Sequence, residues 1–137
     1  MEETPIILLV EDEPIIAELY HTVLGMRPYR VFKAYNKRSA IELIQEHKPH
    51  LILLDLMIPI GPGEELITYD HPVGFDILEW VRHHPDTAHT KVVILTNLES
   101  EANREHAEKL GVTDYLVKAA HDPHDILKRV DSVLGIV

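Results

Sequence analysis

Leu51-Ile52-Leu53-Leu54-Asp55 is a run of four apolar residues closed by a carboxylate. Four residues are too few for a helix, and an unbroken apolar run is what a strand covered on both faces requires. Working outward, Lys91–Thr96 and Ile6–Val10 are further short apolar runs rich in β-branched residues, Arg30–Tyr35 alternates like a strand, and Asp114–Val117 supplies a fifth. Between them lie segments of helical period. Ile15, Ile16, Leu19, Val23 and Leu24 follow Pro14, a residue suited to the first helical turn, and Ala40, Ile41, Leu43 and Ile44 stop before Pro49. Phe75, Ile77, Leu78 and Val81 form the third stripe. Glu99–Leu110, ended by Gly111, is a polar fourth helix with few positions to bury. Asp122-Pro123 reads as a cap and first turn before Ile126, Leu127, Val130, Val133 and Leu134. Five strands alternating with five helices predict an α/β fold: a doubly wound, five-stranded parallel sheet of flavodoxin-like (βα)5 type.

Composition narrows the function. The chain has 137 residues, enough for one core and one domain, 1–137. A formal charge of -10 argues against binding the phosphate backbone of nucleic acid. The absence of cysteine removes thiolate nucleophiles and zinc–cysteine sites, and fits a reducing compartment. No basic start with an apolar run marks a signal peptide, and no stretch approaches a bilayer span. A soluble, cytoplasmic protein without membrane or nucleic-acid partners is the expectation, and no linker to an output module is visible.

In an open parallel sheet, ligands bind beyond the carboxyl ends of the strands. The polar residues placed there are Glu11-Asp12-Glu13, Asn36, Asp55, Thr96 and Lys118. Crowded carboxylates raise one another's pKa unless a hard divalent cation such as Mg²⁺ sits among them. Lys118 offers a point charge and Thr96 a hydroxyl to phosphoryl oxygens, which makes Asp55 the natural acceptor. Bland readings exist for each residue: Glu11, Asp12 and Glu13 could be the solvated start of a helix, and Asp55 a turn residue. Trp80 is read as packing. The ten histidines, including His83-His84 and His121-Asp122-Pro123-His124, lack the spacing of a metal site and are expected to face solvent.

The runs Ile7-Leu8-Leu9-Val10-Glu11-Asp12-Glu13-Pro14 and Leu51-Ile52-Leu53-Leu54-Asp55-Leu56-Met57-Ile58-Pro59, with Thr96 and Lys118, resemble the receiver domains of two-component response regulators. The resemblance covers nearly the whole chain. It implies an aspartyl phosphate on Asp55, and Mg²⁺ held by Asp12, Asp55 and the Met57 backbone carbonyl, with Glu11 acting mainly through metal-bound water. Lys118 and Thr96 would contact the phosphoryl oxygens. Thr96 and Tyr115 would form the family's switch, although Tyr115 serves equally well as core packing. The implied partners are a sensor histidine kinase or histidine phosphotransfer protein upstream, a protein target downstream, and in some receivers a second copy in a homodimer. Such a domain is a signalling module and not an enzyme in the ordinary sense, its only chemistry being its own phosphorylation and dephosphorylation.

Three departures stand against that pattern. Fourteen residues, 60–73, separate Pro59 from Gly74 and imply an inserted loop of about ten. Within it Gly61-Pro62-Gly63 and Asp70-His71-Pro72 read as turns, and Leu66, Ile67 and Tyr69 are apolar enough to make a lid or docking surface, or the loop is tolerated decoration. Lys118 precedes Ala119 where the family has a cis proline, and a cis peptide before alanine costs ~3 kcal/mol, so a trans bond is expected. Asn97 follows Thr96 where a small residue is usual, and its side chain would obstruct a donor or a hydrolytic water. These departures leave open a pseudo-receiver that binds a protein without being phosphorylated. An aspartate-nucleophile hydrolase of the haloacid dehalogenase type is disfavoured, because Met57 stands where its general acid would be.

Overall fold

The computed structural model describes residues 4–64 and 71–136. Along the chain run β1 (Ile6–Val10), α1 (Pro14–Leu24), β2 (Arg30–Ala34), α2 (Lys37–His47), β3 (Leu51–Leu54), α3 (Gly74–His83), β4 (Lys91–Thr96), α4 (Glu101–Lys109), β5 (Asp114–Val117) and α5 (Pro123–Val133). All strand pairs are parallel, in the order β2-β1-β3-β4-β5. The expected fold is the observed one, and β3 is its central strand, fully buried at all four residues.

Alternation along the strands divides the core into two layers. Leu8, Val10, Ile52, Leu54 and Ile94 point to one face, where Ala40 and Ile44 of α2, Phe75, Ile77, Leu78 and Val81 of α3, and Ala107 of α4 cover them. Ile7, Leu9, Leu51, Leu53, Val93, Leu95 and Leu116 point to the other, beneath Ala17, Tyr20, Val23 and Leu24 of α1 and Ile126, Leu127 and Val130 of α5. Each buried Leu or Ile contributes roughly 1.5–3 kcal/mol, so the unbroken apolar runs supply most of the drive to close both layers. Only Ala107 of α4 is buried, as its polar sequence implies.

Local chemistry sets the helix starts. Asn36 Oδ1 accepts from Ser39 N at 2.8 Å, Ser100 Oγ from Asn103 N at 3.4 Å, and Asp122 Oδ1 from Asp125 N at 3.0 Å. Two boundaries differ from the sequence reading for this reason. Because Ser100 is the cap, α4 begins at Glu101 and not at Glu99, while β2 ends at Ala34, leaving Tyr35 38% exposed before the Asn36 cap. In α1 the apolar stripe is wider than the buried face. Ile15 and Leu19 are one turn apart on the side opposite Ala17 and Leu24, and are 84% and 47% exposed.

Two features position the loops at the two edges of the sheet. Gly74, at the start of α3, donates its N–H to Leu56 O at 2.9 Å. A Cβ there would lie 2.6 Å from Leu56 Cα and 2.7 Å from Asp55 O, so the helix start presses on the turn after β3 as only glycine permits. At the opposite end Arg82 donates to the carbonyls of Leu110, Thr90, Gly111 and Ala88 at 2.7, 2.8, 3.1 and 3.2 Å, tying α3 to the loops flanking β4 and β5.

Candidate phosphoryl-acceptor site

The carboxyl ends of β1, β3, β4 and β5 each deliver at least one polar group to the same cavity of ≈ 390 Å³. The site lies at the switch point where the chain leaves β1 on one side for β2 and on the other for β3. Register keeps the groups level: Val10 pairs with Leu54, Leu54 with Ile94, and Thr96 with Val117, so Glu11, Asp55, Thr96 and Lys118 emerge at similar heights.

Lys118 is the hub. Its Nζ donates to Asp55 Oδ2 at 2.7 Å and to Glu11 Oε1, and both carboxylates are nearly enclosed, Glu11 at 2% and Asp55 at 6% exposure. The second oxygens are also held. Asp55 Oδ1 accepts from Met57 N at 3.0 Å and Glu11 Oε2 from Glu13 N at 3.1 Å. Carboxylate oxygens of Glu11, Asp12 and Asp55 lie within 4.8 Å of one another. That donor set suits a hard divalent cation, which takes carboxylate and carbonyl oxygens. Burial first, then the neighbouring Glu11 and Asp55 charges, pushes Asp12 up to about 6. Burial likewise raises Asp55 above the usual carboxylate range, although Lys118 and the Met57 N–H pull against it. Burial alone would lower Lys118, but the Asp55 and Glu11 carboxylates outweigh it and hold the ammonium above its ordinary value. The site therefore concentrates negative charge that one lysine only partly balances.

Thr96 is fully buried, and its Oγ1 accepts from Leu98 N at 3.3 Å. Tyr115, also buried, donates its hydroxyl to Leu98 O at 2.6 Å, and the Arg104 guanidinium lies 4.5 Å from its ring centre. Both hydroxyls thus bind the two ends of one residue, Leu98. This link was not visible in the sequence, where Leu98 is one more apolar residue after a strand.

The remaining expectations fall as follows. Asn36 lies away from the cavity as the α2 cap, and Glu13 lines the cavity mouth while its N–H binds Glu11. No cis peptide occurs among the described residues, so Lys118 and Ala119 are joined in trans, as expected. The first part of the insertion runs to α2: Lys37 N and Arg38 N donate to Pro59 O and Ile60 O at 2.9 and 3.0 Å, and Arg38 pairs with Glu64. His71 and Lys37 both reach Asp76 where the loop returns. Leu66, Ile67, Tyr69 and Asp70 lie outside the described residues. The histidines face solvent, as expected: none is buried and only His21, His47 and His121 are half-buried, although His47 stacks on Phe32 and the exposed His84 on Trp80, with ring centres 3.8 and 3.7 Å apart. A flat imidazole covers apolar surface at a core margin while leaving a nitrogen to water. Trp80 packs at the margin of the core, as read.

Comparison with known proteins agrees with this fold. The response regulator receiver domain family matches residues 7–131. The chain belongs to that family. It is 30% identical over 128 residues to the transcriptional regulatory protein GltR of Pseudomonas aeruginosa, covering 93% of this chain and 48% of that protein. It is 22% identical to the polar-differentiation response regulator DivK of Brucella anthropi, over 94% of this chain and 95% of DivK. The chain thus spans about half the length of several transcriptional regulators it matches. Among solved structures, the Mn²⁺-bound form of response regulator Rcp1 superposes with a TM-score of 0.75 at 26% identity, covering 95% of this chain and 94% of that one. No described helix is long and apolar enough to cross a membrane.

Proposed function

We propose that this domain accepts a phosphoryl group on Asp55 from a histidine kinase or histidine phosphotransfer protein, and signals the event to a protein partner. The observation that carries the reading is Lys118 Nζ bound to the buried Asp55 carboxylate, in the cavity that Thr96 also lines. An Asp55 oxygen forms the new bond to phosphorus as the bond from phosphorus to the donor nitrogen or oxygen breaks. The bonding pair leaves with the donor, which takes up a proton. Mg²⁺, held by Glu11, Asp12, Asp55 and the Met57 carbonyl, would neutralise charge between the donor and these carboxylates. Lys118, already at Asp55, follows the incoming oxygens and stabilises the charge they carry.

The same geometry supports a readout. A phosphoryl oxygen accepts from the Thr96 hydroxyl and draws Oγ1 toward Asp55, away from the Leu98 N–H that donates to it, and Leu98 O holds Tyr115, so a shift of Thr96 reaches the β5 surface through one residue. The domain, 1–137, acts through that surface. Incubation with acetyl phosphate and Mg²⁺ tests the reading: a receiver retains the phosphoryl group for a time, a pseudo-receiver never takes it, and a hydrolase turns the donor over continuously.

A further inference from the structure

Asn97 and Ala119 directly follow the two residues, Thr96 and Lys118, whose side chains line the acceptor cavity on its β4 and β5 sides. Asn97 Oδ1 accepts a hydrogen bond from the Ala119 backbone N–H at 3.0 Å, joining loops 22 residues apart. Ala119 sits in a single 3₁₀ turn, Lys118–Ala120, closed by a long bond from His121 N to Lys118 O at 3.3 Å. The first N–H groups of such a turn have no partner within it, and Asn97 supplies one. The two ends of the bond differ in rigidity. Both ends are exposed, but Asn97 directly follows Thr96, the last residue of a buried strand, whereas Ala119 belongs to a short turn.

We propose that Asn97 is a positioning residue for phosphoryl transfer: by holding the Ala119 N–H it fixes the turn from which Lys118 reaches Asp55. The inference rests on Asp55 being the acceptor. Lysine is a point charge on a four-carbon stem, so its aim depends on where the backbone beneath it is held. A proline at this position, which the family pattern leads one to expect, has no N–H to hold and would fix its turn through its ring instead. Asn97 and Ala119 therefore work as a pair, and Asn97 is more than an obstruction at the cavity mouth.

The test is a double-mutant cycle of Asn97→Ala and Ala119→Pro, read by acetyl-phosphate labelling with Mg²⁺. With Ala119 in place, Asn97→Ala is expected to lower the saturated labelling rate about five-fold, the effect of losing one ordinary hydrogen bond, with little change in the half-saturating donor concentration. In the Ala119→Pro background the same substitution is expected to change that rate by less than two-fold, since no N–H remains. Equal acceleration in both backgrounds would overturn the proposal and make Asn97 a steric gate; no change in either would make it a bystander. The Ala119 amide supplies a second measurement that needs neither phosphorylation nor proline. Its hydrogen exchange is expected to be slowed in wild type and faster in Asn97→Ala, and equal protection in both overturns the proposal. Absence of labelling in wild type, with the amide behaving as described, would instead sink the acceptor reading of Asp55 and leave the Asn97 contact standing.

Discussion

Gly74→Ala places a methyl group where the start of α3 meets the turn after Asp55. The new Cβ would lie 2.6 Å from Leu56 Cα and 2.7 Å from Asp55 O, short of ordinary contact at 3.4 Å by 0.7–0.8 Å. Both obstacles are backbone, so no side chain can rotate away. Either α3 withdraws, stretching the 2.9 Å bond from Gly74 N to Leu56 O, or the Asp55–Leu56 segment is displaced. Overpacking of this kind costs about 1–3 kcal/mol, and the gain in helix propensity from glycine to alanine offsets at most ~1 kcal/mol. A net loss of about 1–2 kcal/mol lowers the melting temperature of a domain this size by roughly 3–8 °C. Because the displaced backbone carries Asp55, acetyl-phosphate labelling is expected to slow by more than the stability loss explains when measured well below the transition. Thermal unfolding and labelling of the two proteins side by side check both effects. A mutant that melts with wild type and labels at the wild-type rate refutes the reasoning, because it shows that the segment accommodates a side chain.

Three further outcomes follow from particular contacts. Arg82→Ala leaves four carbonyls without their shared donor and is expected to cost about 2–4 kcal/mol, with Arg82→Lys recovering less than half, since an ammonium cannot fork to four acceptors; denaturant unfolding measures both. Tyr29→Phe removes a 2.5 Å bond to the buried Asp131, which Arg27 also binds at 2.9 Å, and is expected to cost about 1–2 kcal/mol in the same assay; a loss under ~0.5 kcal/mol would show that water replaces the hydroxyl. Asp12, raised to about 6 from an unfolded value near 3.8, binds a proton more readily folded than unfolded between those values. Its contribution to stability therefore falls as pH rises through that window, and its charge is restored for metal above it. Asp12→Asn should melt higher than wild type at pH 7.5 in chelator and lose most of the rise that Mg²⁺ gives wild type, whereas Mg²⁺ should stabilise wild type less at pH 5 than at pH 7.5.

The architecture was legible because its signals are local. Leu51–Leu54 reads as a central strand since burial on both faces leaves no polar position in it, and Asp55, Thr96 and Lys118 stand out because polarity begins abruptly where each run ends. The carboxylate cluster was legible for the same reason. What the sequence hid are contacts between loops distant in the chain. Leu98 joining Thr96 to Tyr115, Asn97 reaching Ala119, and Arg82 gathering four carbonyls depend on backbone groups whose direction no side-chain pattern records. Gly74 appeared in the sequence only as the residue closing the long loop, but its meaning lies in the distance to Asp55 O, a property of packing. Ile15 and Leu19 mislead for the opposite reason: apolar spacing marks a helix face without saying which face is covered.

The central claim is that Asp55 takes the phosphoryl group, and intact-mass measurement with peptide mapping after incubation with acetyl phosphate and Mg²⁺ tests it most directly. Wild type is expected to gain one phosphoryl group mapped to Asp55, lost on standing, and Asp55→Asn to gain none because an amide is too poor a nucleophile. An adduct that forms equally on Asp55→Asn, or a folded wild type that stays unmodified with Mg²⁺ present, would contradict it.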